Sequence, residues 1–446
     1  MKEYHSIFNH TLAPITPGPS SSNTCGPARI ALFAYYMFGE IPKKAIIEYS
    51  KHGSFPKTMF GMKSDYAFIN GLLGKDQNAP DFLRCYENAK EANMEVFFKE
   101  VDDLTIGGYE TARLRLFGED GNNMVIVGES LGGGSFLMHS VDDIPIESSG
   151  AYYELFVKLS GENNSTVDIV ENIIREEIIS DLSRTHPTGT NNSINVICDK
   201  TLTQGNGNSL LHIKMTVAPE EQILKTIQNL PCVLWARLIV PVVPEVINPW
   251  IKPAFETASG LIEYCAKTGK TPSQAAVDYE VTVSGWTESQ IYSYVEDLLN
   301  IMRKGIETGT KEAFDFPGIL TQKGPEVFRT LQEISSPSLG FLDKAIPAAL
   351  GIMEYSNASG KTVCVPTGGS SGVVPGVLLT AAQAMKKTEK ELADALLVSG
   401  LIGVLMMIEG NNFSGGMTGC QAEIGCATAM AAAGLAALMG GNAKQV

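Results

Sequence analysis

The sequence predicts an α+β protein of three domains. A mixed N-terminal domain and a βαββαβ middle domain precede a mostly α-helical C-terminal domain. The 446 residues exceed the length at which one hydrophobic core stops growing. A proline-punctuated segment, 241–249, separates regions of different pattern, and after it apolar residues recur at helical spacing. We therefore expect domains at 1–149, 150–245 and 246–446.

The composition is that of a soluble globular chain, with 44% hydrophobic residues and a formal net charge of −15. This acidity argues against nucleic acid or an anionic membrane as a partner. The N-terminus has no apolar signal core. Of two apolar stretches, 396–408 is too short for a membrane span, and the run through the 420s and 430s is mostly Ala and Gly. We expect a cytoplasmic protein. The eight cysteines form no CxxC pair, which argues against a disulfide framework or a zinc ribbon.

The first segment that points to a site is GPSSSNTCGP at 18–27, just before an apolar helix predicted at 28–38. Its polar residues are Ser20, Ser21, Ser22, Asn23 and Thr24. Hydroxyl and backbone N–H groups before a helix suit a carboxylate or a phosphate. The alternative is that a serine simply caps the helix.

Two further N-terminal segments have unusual composition. Ser54 and Asp65 lie in the run GSFPKT to GMKSD, ahead of a helix predicted at 66–73. Gly133 and Gly134 follow a predicted strand at 124–127. Consecutive glycines allow close backbone approach, either to a ligand or to a neighbouring strand.

The middle domain alternates strand and helix patterns. Strands are predicted at 151–159, 194–199, 210–217 and 233–240, with helices at 165–182 and 219–230, the latter with a proline in its first turn. The order βαββαβ is the ferredoxin-like split unit. Small-molecule-sensing domains of the ACT type share this topology, although the order alone does not show that an effector binds.

The C-terminal domain is predicted to be helical at 254–268, 273–279, 290–308, 325–334 and 342–356. A glycine loop, PTGGSSG at 366–372, precedes a helix starting near Val374. It is not a Walker A sequence because no Lys follows the Gly, but its N–H groups suit a carboxylate. A capping box, TEKE at 388–391, opens the next helix.

The segment that organises the rest is NNFSGGMTGCQAEIG, which starts at Asn411. A Ser-Gly-Gly loop beginning at Ser414 brings Cys420, Gln421 and Glu423 to the start of a long Ala-rich helix, where a thiol, an amide and a carboxylate form a plausible reactive site. The N-terminus of a helix favours thiolates and anions. The alternative is that Cys420 is a small buried hydrophobe beside a packing helix.

Five motifs, GPSSSNT, GSF–T–G–SD, SLGGG, PTGGSSGVVPG and NNFSGG–GCQAEIG, resemble in that order the iron–sulfur L-serine dehydratases (L-serine ammonia-lyases). The resemblance covers nearly all of both flanking domains, and the middle segment looks like the ACT-like domain that often follows the family's β region. The chain thus resembles a fused β–ACT–α serine dehydratase.

This resemblance implies a [4Fe–4S] cluster whose open iron acts as a Lewis acid on the substrate hydroxyl and carboxylate. A base removes the α-proton, water leaves, and the aminoacrylate hydrolyses to pyruvate and ammonia. Catalytic residues are expected at Ser20, Ser21, Ser22, Asn23, Thr24 and Asp65. Substrate contacts are expected at Ser54, Gly133, Gly134, Thr367, Gly368, Gly369, Ser370, Ser371, Asn411, Ser414 and Gln421. Cys420 is the one match to a cluster ligand.

The sequence departs from the family pattern at three places. Asn23 stands where the family's serine loop usually carries a histidine, and Met62 follows Gly61 where the family has Gly-His. An asparagine orients a substrate but exchanges no proton at neutral pH. The family's other two cluster cysteines are expected in a closing segment downstream of the GCQ helix, which this sequence lacks.

Two classes of function follow. The first is an L-serine dehydratase-like lyase acting on a small amino acid, with cysteine desulfidation as a neighbouring reaction. The second is a non-catalytic amino-acid-binding paralogue, which the missing histidines and cysteines favour. Since chains with ACT-like domains often pair, a homodimer is expected by analogy.

Overall fold

The structure is a computed structural model. It describes residues 4–102, 104, 106–161, 163–185, 197–205, 207–315, 321–333, 338–410, 413 and 419–446, with backbone alone at 177–185, 332 and 420. Within these residues the α+β class and the helical C-terminal region are confirmed. The three predicted domain limits stay a prediction.

The N-terminal region is built on a six-stranded sheet of order β3-β2-β4-β5-β6-β7. Its strands are β2 (Lys44–Ser50), β3 (Glu95–Val101), β4 (Thr111–Phe117), β5 (Asn123–Gly132), β6 (Ser135–Val141) and β7 (Ile144–Ser148). The pair β2–β3 is parallel and the other neighbours are antiparallel. The helices of this region are α1 (Ile7–His10), α2 (Gly26–Phe38), α3 (Phe55–Thr58), α4 (Ser64–Leu72) and α5 (Cys85–Glu91).

Helix α2 lies on one face of this sheet and supplies the centre of its core. Ile30, Phe33 and Met37 are fully buried and pack with Leu114 and Ile126 of the sheet. Their spacing of three and four residues gives one apolar stripe along the helix. Since the segment 20–25 runs directly into α2, this packing fixes the position of the serine loop.

The middle region has the predicted element order βαββαβ. Its elements are β8 (Tyr153–Ser160), α6 (Asn164–Thr185), β9 (Ile197–Gly205), β10 (Asn208–Met215), α7 (Glu221–Gln228) and β11 (Val233–Ile239). The four strands form one antiparallel sheet of order β11-β8-β10-β9. Apolar residues of both helices pack on one face of that sheet. The ACT-type assignment stays a prediction.

The C-terminal region is a cluster of helices around a separate apolar core. They are α8 (Ala258–Thr268), α9 (Pro272–Ser284), α10 (Glu288–Lys311), α11 (Gly324–Glu333), α12 (Leu342–Asn357), α13 (Val373–Met385), α14 (Glu389–Gly410) and α15 (Cys420–Leu438). The start of the chain belongs to this core by packing, because Ile7, Phe8 and Leu12 are fully buried among these helices.

A two-stranded ribbon joins the two ends of the chain. Strand β1 (Ile15–Pro17) pairs antiparallel with β12 (Lys361–Val363), and Cys364 N donates to Pro14 O at 3.0 Å. The ribbon sets the serine loop, which follows β1, beside the glycine loop, which follows β12. Neither three-residue strand has a distinct sequence pattern, so this contact was not predicted.

Several predicted boundaries were wrong for identifiable reasons. Strand β5 runs on through Gly132 because its ladders with β4 and β6 continue. Helix α9 extends to Ser284 because a Thr271–Gln274 capping box opens it and Gly285, at φ 75°, closes it. Helix α7 begins only at Glu221 because Glu220 is extended, so the proline of the predicted first turn precedes the helix.

Two helices, Glu389–Gly410 and the Gln421–Leu438 part of α15, are long and apolar enough to cross a membrane by length and composition. The first is longer than the apolar stretch 396–408 seen in the sequence. Most of the apolar part of Glu389–Gly410 is buried, as is typical of a core helix in a globular protein.

Candidate active site

The serine loop is a short π-helical turn, Ser21–Cys25, that leads into α2. Ser20 is extended, and its hydroxyl accepts a hydrogen bond from Asn23 N at 3.1 Å. The capping alternative therefore describes Ser20, which satisfies one of the free N–H groups of the turn. Ser22 Oγ lies 3.4 Å from Ser20 Oγ, and Ser22 O accepts from Ser130 Oγ at 2.8 Å.

Asn23 connects three segments with its side chain. Its Oδ1 accepts from Thr58 Oγ1 at 2.8 Å, and its Nδ2 donates to Glu110 Oε1 at 3.2 Å. Its backbone carbonyl accepts from Ser64 Oγ at 2.5 Å. The side chain is 6% exposed, and both ends of its amide are bonded. Asn23 therefore acts here as a rigid hydrogen-bonding link between the serine loop and the second motif.

Glu110 is a site residue that the sequence analysis missed. It is 5% exposed, and its Oε1 accepts from Ser54 Oγ at 3.1 Å as well as from Asn23. Its Oε2 is buried with no hydrogen-bond partner. It precedes β4 in an unremarkable GGYET sequence, and the tertiary pairing with the serine loop is what sets it apart.

The surroundings of Glu110 raise the pKa of its carboxyl above the ordinary glutamate value. Burial raises the pKa of its carboxyl, the hydrogen bonds from Ser54 and Asn23 lower it, and the nearby carboxylates of Glu129 and Glu423 raise it again. Glu129 in turn contacts His139, with Oε2 2.9 Å from Nε2. A buried carboxyl with one free oxygen and a raised pKa is typical of a proton-exchanging group.

The second motif closes over the serine loop through its backbone. Thr24 Oγ1 donates to Met62 O at 2.9 Å, so the departure from the family pattern at Met62 lies beside the serine loop. Thr58 Oγ1 also donates to Ser54 O at 3.1 Å. These contacts place Ser54 and Thr24 in one polar layer with Asn23.

Asp65 points elsewhere. It is 3% exposed, and its Oδ2 accepts from Tyr86 Oη at 2.6 Å. Burial raises the pKa of its carboxyl, whereas the Tyr86 hydrogen bond lowers it. Asp65 makes no described hydrogen bond to the serine loop, so its expected catalytic role stays a prediction.

The glycines of the third motif form the β5–β6 turn, with Gly133 at φ 61° and Gly134 at φ 80°. A Cβ on Gly134 would lie 2.7 Å from Pro14 Cγ and 3.2 Å from Cys25 Sγ. A side chain at this position would thus collide with a neighbouring segment of the protein. This is closer to the alternative that the glycines allow approach of another part of the chain than to the alternative that they approach a ligand. A Cβ on Gly133 would lie 3.8 Å from Pro366 O, so the turn also adjoins the glycine loop.

The glycine loop meets the serine loop directly. Gly368 N donates to Ser21 Oγ at 3.1 Å. Thr367, Ser370 and Ser371 are buried, and their hydroxyls are used within the loop or against Met353 Sδ. Gly369 is exposed. The glycine loop and the serine loop are therefore in direct contact, and the N–H groups of Ser370 and Ser371 bond to carbonyls within the glycine loop.

Helix α15 brings its first turn to the same place. A Cβ on Gly369 would lie 2.8 Å from Glu423 Oε2. Gln421, the second residue after Gly419, is exposed, and Cys420 begins the helix with its backbone alone described. Asn411 and Ser414, two further predicted contacts, lie outside the described residues.

The cysteines whose side chains are described do not form a cluster site. Cys25 and Cys364 are fully buried close to one another, and burial raises the pKa of both thiols. Cys426 lies farther along α15, and burial raises its pKa too. Among the described residues, no three His, Cys, Asp or Glu side chains are grouped to hold a metal ion. These residues therefore do not fit a cluster bound by three thiolates.

Comparison with known proteins agrees with this arrangement of motifs. The family profile described as serine dehydratase alpha chain matches residues 166–446, and that of the serine dehydratase beta chain matches residues 6–107. The serine loop and second motif lie in the beta-chain match, and the glycine loop and Cys420 lie in the alpha-chain match.

Curated relatives carry the same name. The L-serine dehydratase of Haemophilus influenzae and L-serine dehydratase 1 of Escherichia coli are each 30% identical to this chain over 198 residues. In both cases the alignment spans 43% of this chain and 43% of the relative. The probable L-serine dehydratase beta chain of Bacillus subtilis is 29% identical over 172 residues, 39% of this chain and 76% of that protein. The alignments to the first two relatives thus span less than half of their length. Because the alpha-chain profile covers more than half of these 446 residues, the chain belongs to the serine dehydratase family.

Proposed function

We propose that this chain is a serine dehydratase-like lyase that converts L-serine, or a close analogue, to pyruvate and ammonia. The observation that carries the proposal is the meeting of the serine loop, the glycine loop and the first turn of α15 around Ser21, Gly368 and Glu423. These segments come from opposite ends of the sequence, and their meeting creates a polar site next to the buried carboxyl of Glu110.

The site offers separate groups for the two parts of an amino acid. The hydroxyls of Ser20 and Ser22 suit the substrate carboxylate, because each can donate a hydrogen bond to it. The carboxylate of Glu423 suits its ammonium group. This orientation would direct the α-carbon toward the layer formed by Asn23, Ser54 and Glu110.

In this proposal Glu110 takes the α-proton. Its Oε2 has no partner, and its raised pKa brings it closer to the range in which a carboxylate is an effective base. As the proton moves to Glu110, the electron pair of the C–H bond forms the Cα–Cβ double bond and the bond from Cβ to the hydroxyl oxygen breaks. Glu110 then gives the proton to the departing hydroxide, which leaves as water. The aminoacrylate becomes an imine by proton transfer, and one water hydrolyses it to pyruvate and ammonia.

The resemblance to the family implies a [4Fe–4S] cluster as a Lewis acid. No step of the proposed elimination is assigned to it, because the described thiols do not fit a cluster bound by three thiolates. Cys420 is the residue that matches a family ligand, and it sits at the entrance of α15 beside the glycine loop. The described cysteines do not complete the ligand set, so iron binding needs a separate measurement.

Two alternatives remain. Cysteine desulfidation would use the same α-proton removal with a thiol as leaving group. The absent histidines favour a non-catalytic amino-acid-binding paralogue instead. A cytoplasmic location and a homodimer complete the proposal by analogy with metabolic enzymes of this class.

The direct test is anaerobic incubation of the chain, treated with iron and sulfide, with L-serine and with L-cysteine. Pyruvate and ammonia from serine would support the dehydratase, and pyruvate with sulfide from cysteine would support the desulfidase. Absence of pyruvate from both would refute the lyase. Calorimetric titration of the iron-free protein with both amino acids would then test the binding alternative, which fails if no heat of binding is seen.

A further inference from the structure

A cavity of about 400 Å³ lies where the N-terminal region meets the segment 240–244 and helix α10. Its lining includes Arg29 of α2, Asp76 and Asn78 of the loop after α4, and Tyr294 of α10. Between these polar groups lie aliphatic and proline side chains from Leu32 and the segment 240–244, so the lining is mixed polar and apolar. Convergent polar groups beside apolar walls are typical of a site for a small polar molecule.

Arg29 is the exceptional group in this cavity. It is 2% exposed, and its side chain makes one hydrogen bond, from Nη1 to Gly134 O at 2.7 Å. Its Nε is buried without a partner. No carboxylate lies within ion-pair distance of it among the residues that the structure describes. A buried cation without a counter-charge costs several kcal/mol, and a guanidinium presents a planar fork of donors that matches a carboxylate.

Two other groups shape the choice of ligand. Asn78 has a buried Oδ1 with no partner, so the cavity also offers an unused acceptor. Asp76 is exposed at the edge of the cavity, and its Oδ1 accepts from Asn78 N at 2.7 Å. One fixed negative charge at the edge disfavours a dianion such as phosphate more than it disfavours a monoanion.

We propose that the cavity lined by Arg29 is a binding site for a small monocarboxylate. The ligand's carboxylate accepts hydrogen bonds from the guanidinium N–H groups of Arg29 that have no partner. A hydroxyl or protonated group of the ligand donates to Asn78 Oδ1. The site is distinct from the proposed active site, but Arg29 also holds Gly134 O, so the ligand and the β5–β6 turn share one guanidinium.

The test uses the full chain and two probes, sodium acetate and sodium pyruvate, at constant ionic strength. Calorimetry is expected to give saturable binding at one site and thermal unfolding a matching rise in Tm. Inorganic phosphate is expected to bind at least about tenfold more weakly, because of its second charge. No saturable binding of either carboxylate, or phosphate binding as tight as theirs, overturns the proposal.

Variants locate the binding. Arg29→Gln is expected to lower the affinity for acetate at least about tenfold, since the charge-assisted hydrogen bonds are lost. Arg303→Gln, which removes a surface guanidinium paired with Glu389, is the matched control and should bind as the unmodified chain does. Unchanged affinity in Arg29→Gln overturns the proposal.

A further variant keeps the proposal testable if Arg29→Gln does not fold. Asp76→Asn keeps the acceptor for Asn78 N but removes the charge at the cavity edge, so acetate should bind about two- to fivefold more tightly. Unchanged or weaker binding contradicts the monoanion assignment. Ser22→Ala should bind acetate as the unmodified chain does; loss of binding there, with binding kept in Arg29→Gln, would place the anion in the active site instead.

Discussion

Gly368 N donates a hydrogen bond to Ser21 Oγ at 3.1 Å across 347 residues of sequence. A Cβ on Gly368 would lie 2.8 Å from Ser21 N, so the two loops are in backbone contact there. The candidate active site therefore depends on close approach of the two ends of the chain.

Gly368→Ala is expected to separate the two loops. The clash is with backbone atoms, which cannot rotate away, so a loss of about 1–3 kcal/mol in the free energy of unfolding is expected. Ser21→Ala should cost only about 1 kcal/mol, for one hydrogen bond. Chemical denaturation measures both. Gly425→Ala makes the same change in open space on α15 and should be neutral or stabilising; equal losses in Gly368→Ala and Gly425→Ala would contradict the backbone contact.

Glu110→Gln is expected to reduce turnover of L-serine by about 10²- to 10⁴-fold, the usual contribution of a general base. Glutamine Oε1 still accepts from Ser54 and Asn23, and the change removes a buried carboxyl whose raised pKa costs stability at neutral pH. Stability at neutral pH should therefore be kept or increased. Pyruvate formation and thermal unfolding measure the two effects, with the exposed Glu119→Gln as control.

The pH profile of kcat/KM should identify the same group. Because burial and neighbouring carboxylates raise the pKa of Glu110, the acid limb should lie above the ordinary glutamate range. Glu423→Gln removes one of those carboxylates and should move the limb to lower pH. If the acid limb of the kcat/KM profile lies at the same pH in Glu423→Gln as in the unmodified chain, Glu110 is not the base.

A buried pair of carboxyls should make stability depend on pH. Glu245 and Glu280 are 1% and 0% exposed, and Ser6 Oγ lies 2.6 and 2.7 Å from their oxygens. The single hydroxyl proton of Ser6 can be donated to only one of the two carboxyl groups. We therefore expect one of these two carboxyl groups to be protonated. Burial raises the pKa of both groups, and the neighbouring Glu280 raises that of Glu245 further.

The sign follows from the raised pKa values. The stabilising contribution of this pair is complete below the ordinary glutamate pKa and is lost as pH rises through the values in the folded protein. Each proton released on that rise changes the free energy of unfolding by up to about 1.4 kcal/mol per pH unit. Glu280→Gln should reduce the decline of Tm above pH 5, whereas Glu119→Gln should leave it unchanged. An equal decline in all three proteins would contradict the shared proton.

Anaerobic treatment with iron and sulfide is expected to load fewer than about four irons on each copy of this chain, the content of a complete cluster. The reason is that Cys25 and Cys364 are buried thiols with raised pKa values. Iron content and the charge-transfer absorbance measure the outcome. Full loading that is lost in Cys420→Ser would show instead that Cys420 finds partner ligands.

Local sequence determined the main helices and the βαββαβ order, because apolar periodicity and capping residues act over a few positions. It placed helix α12 at its observed start, Leu342, and identified the capping box at Thr388 and Glu391. It also identified the five motifs and so the family. These features need no knowledge of distant contacts.

Tertiary structure decided which motifs meet and which residues complete them. Glu110 has no local signature, and it became a site residue only because Asn23 and Ser54 donate to it. Asp65 matched a motif, yet its carboxyl is directed to Tyr86. A hydrogen bond depends on distance in space, and the ribbon of β1 and β12 brings together segments that no sequence window contains.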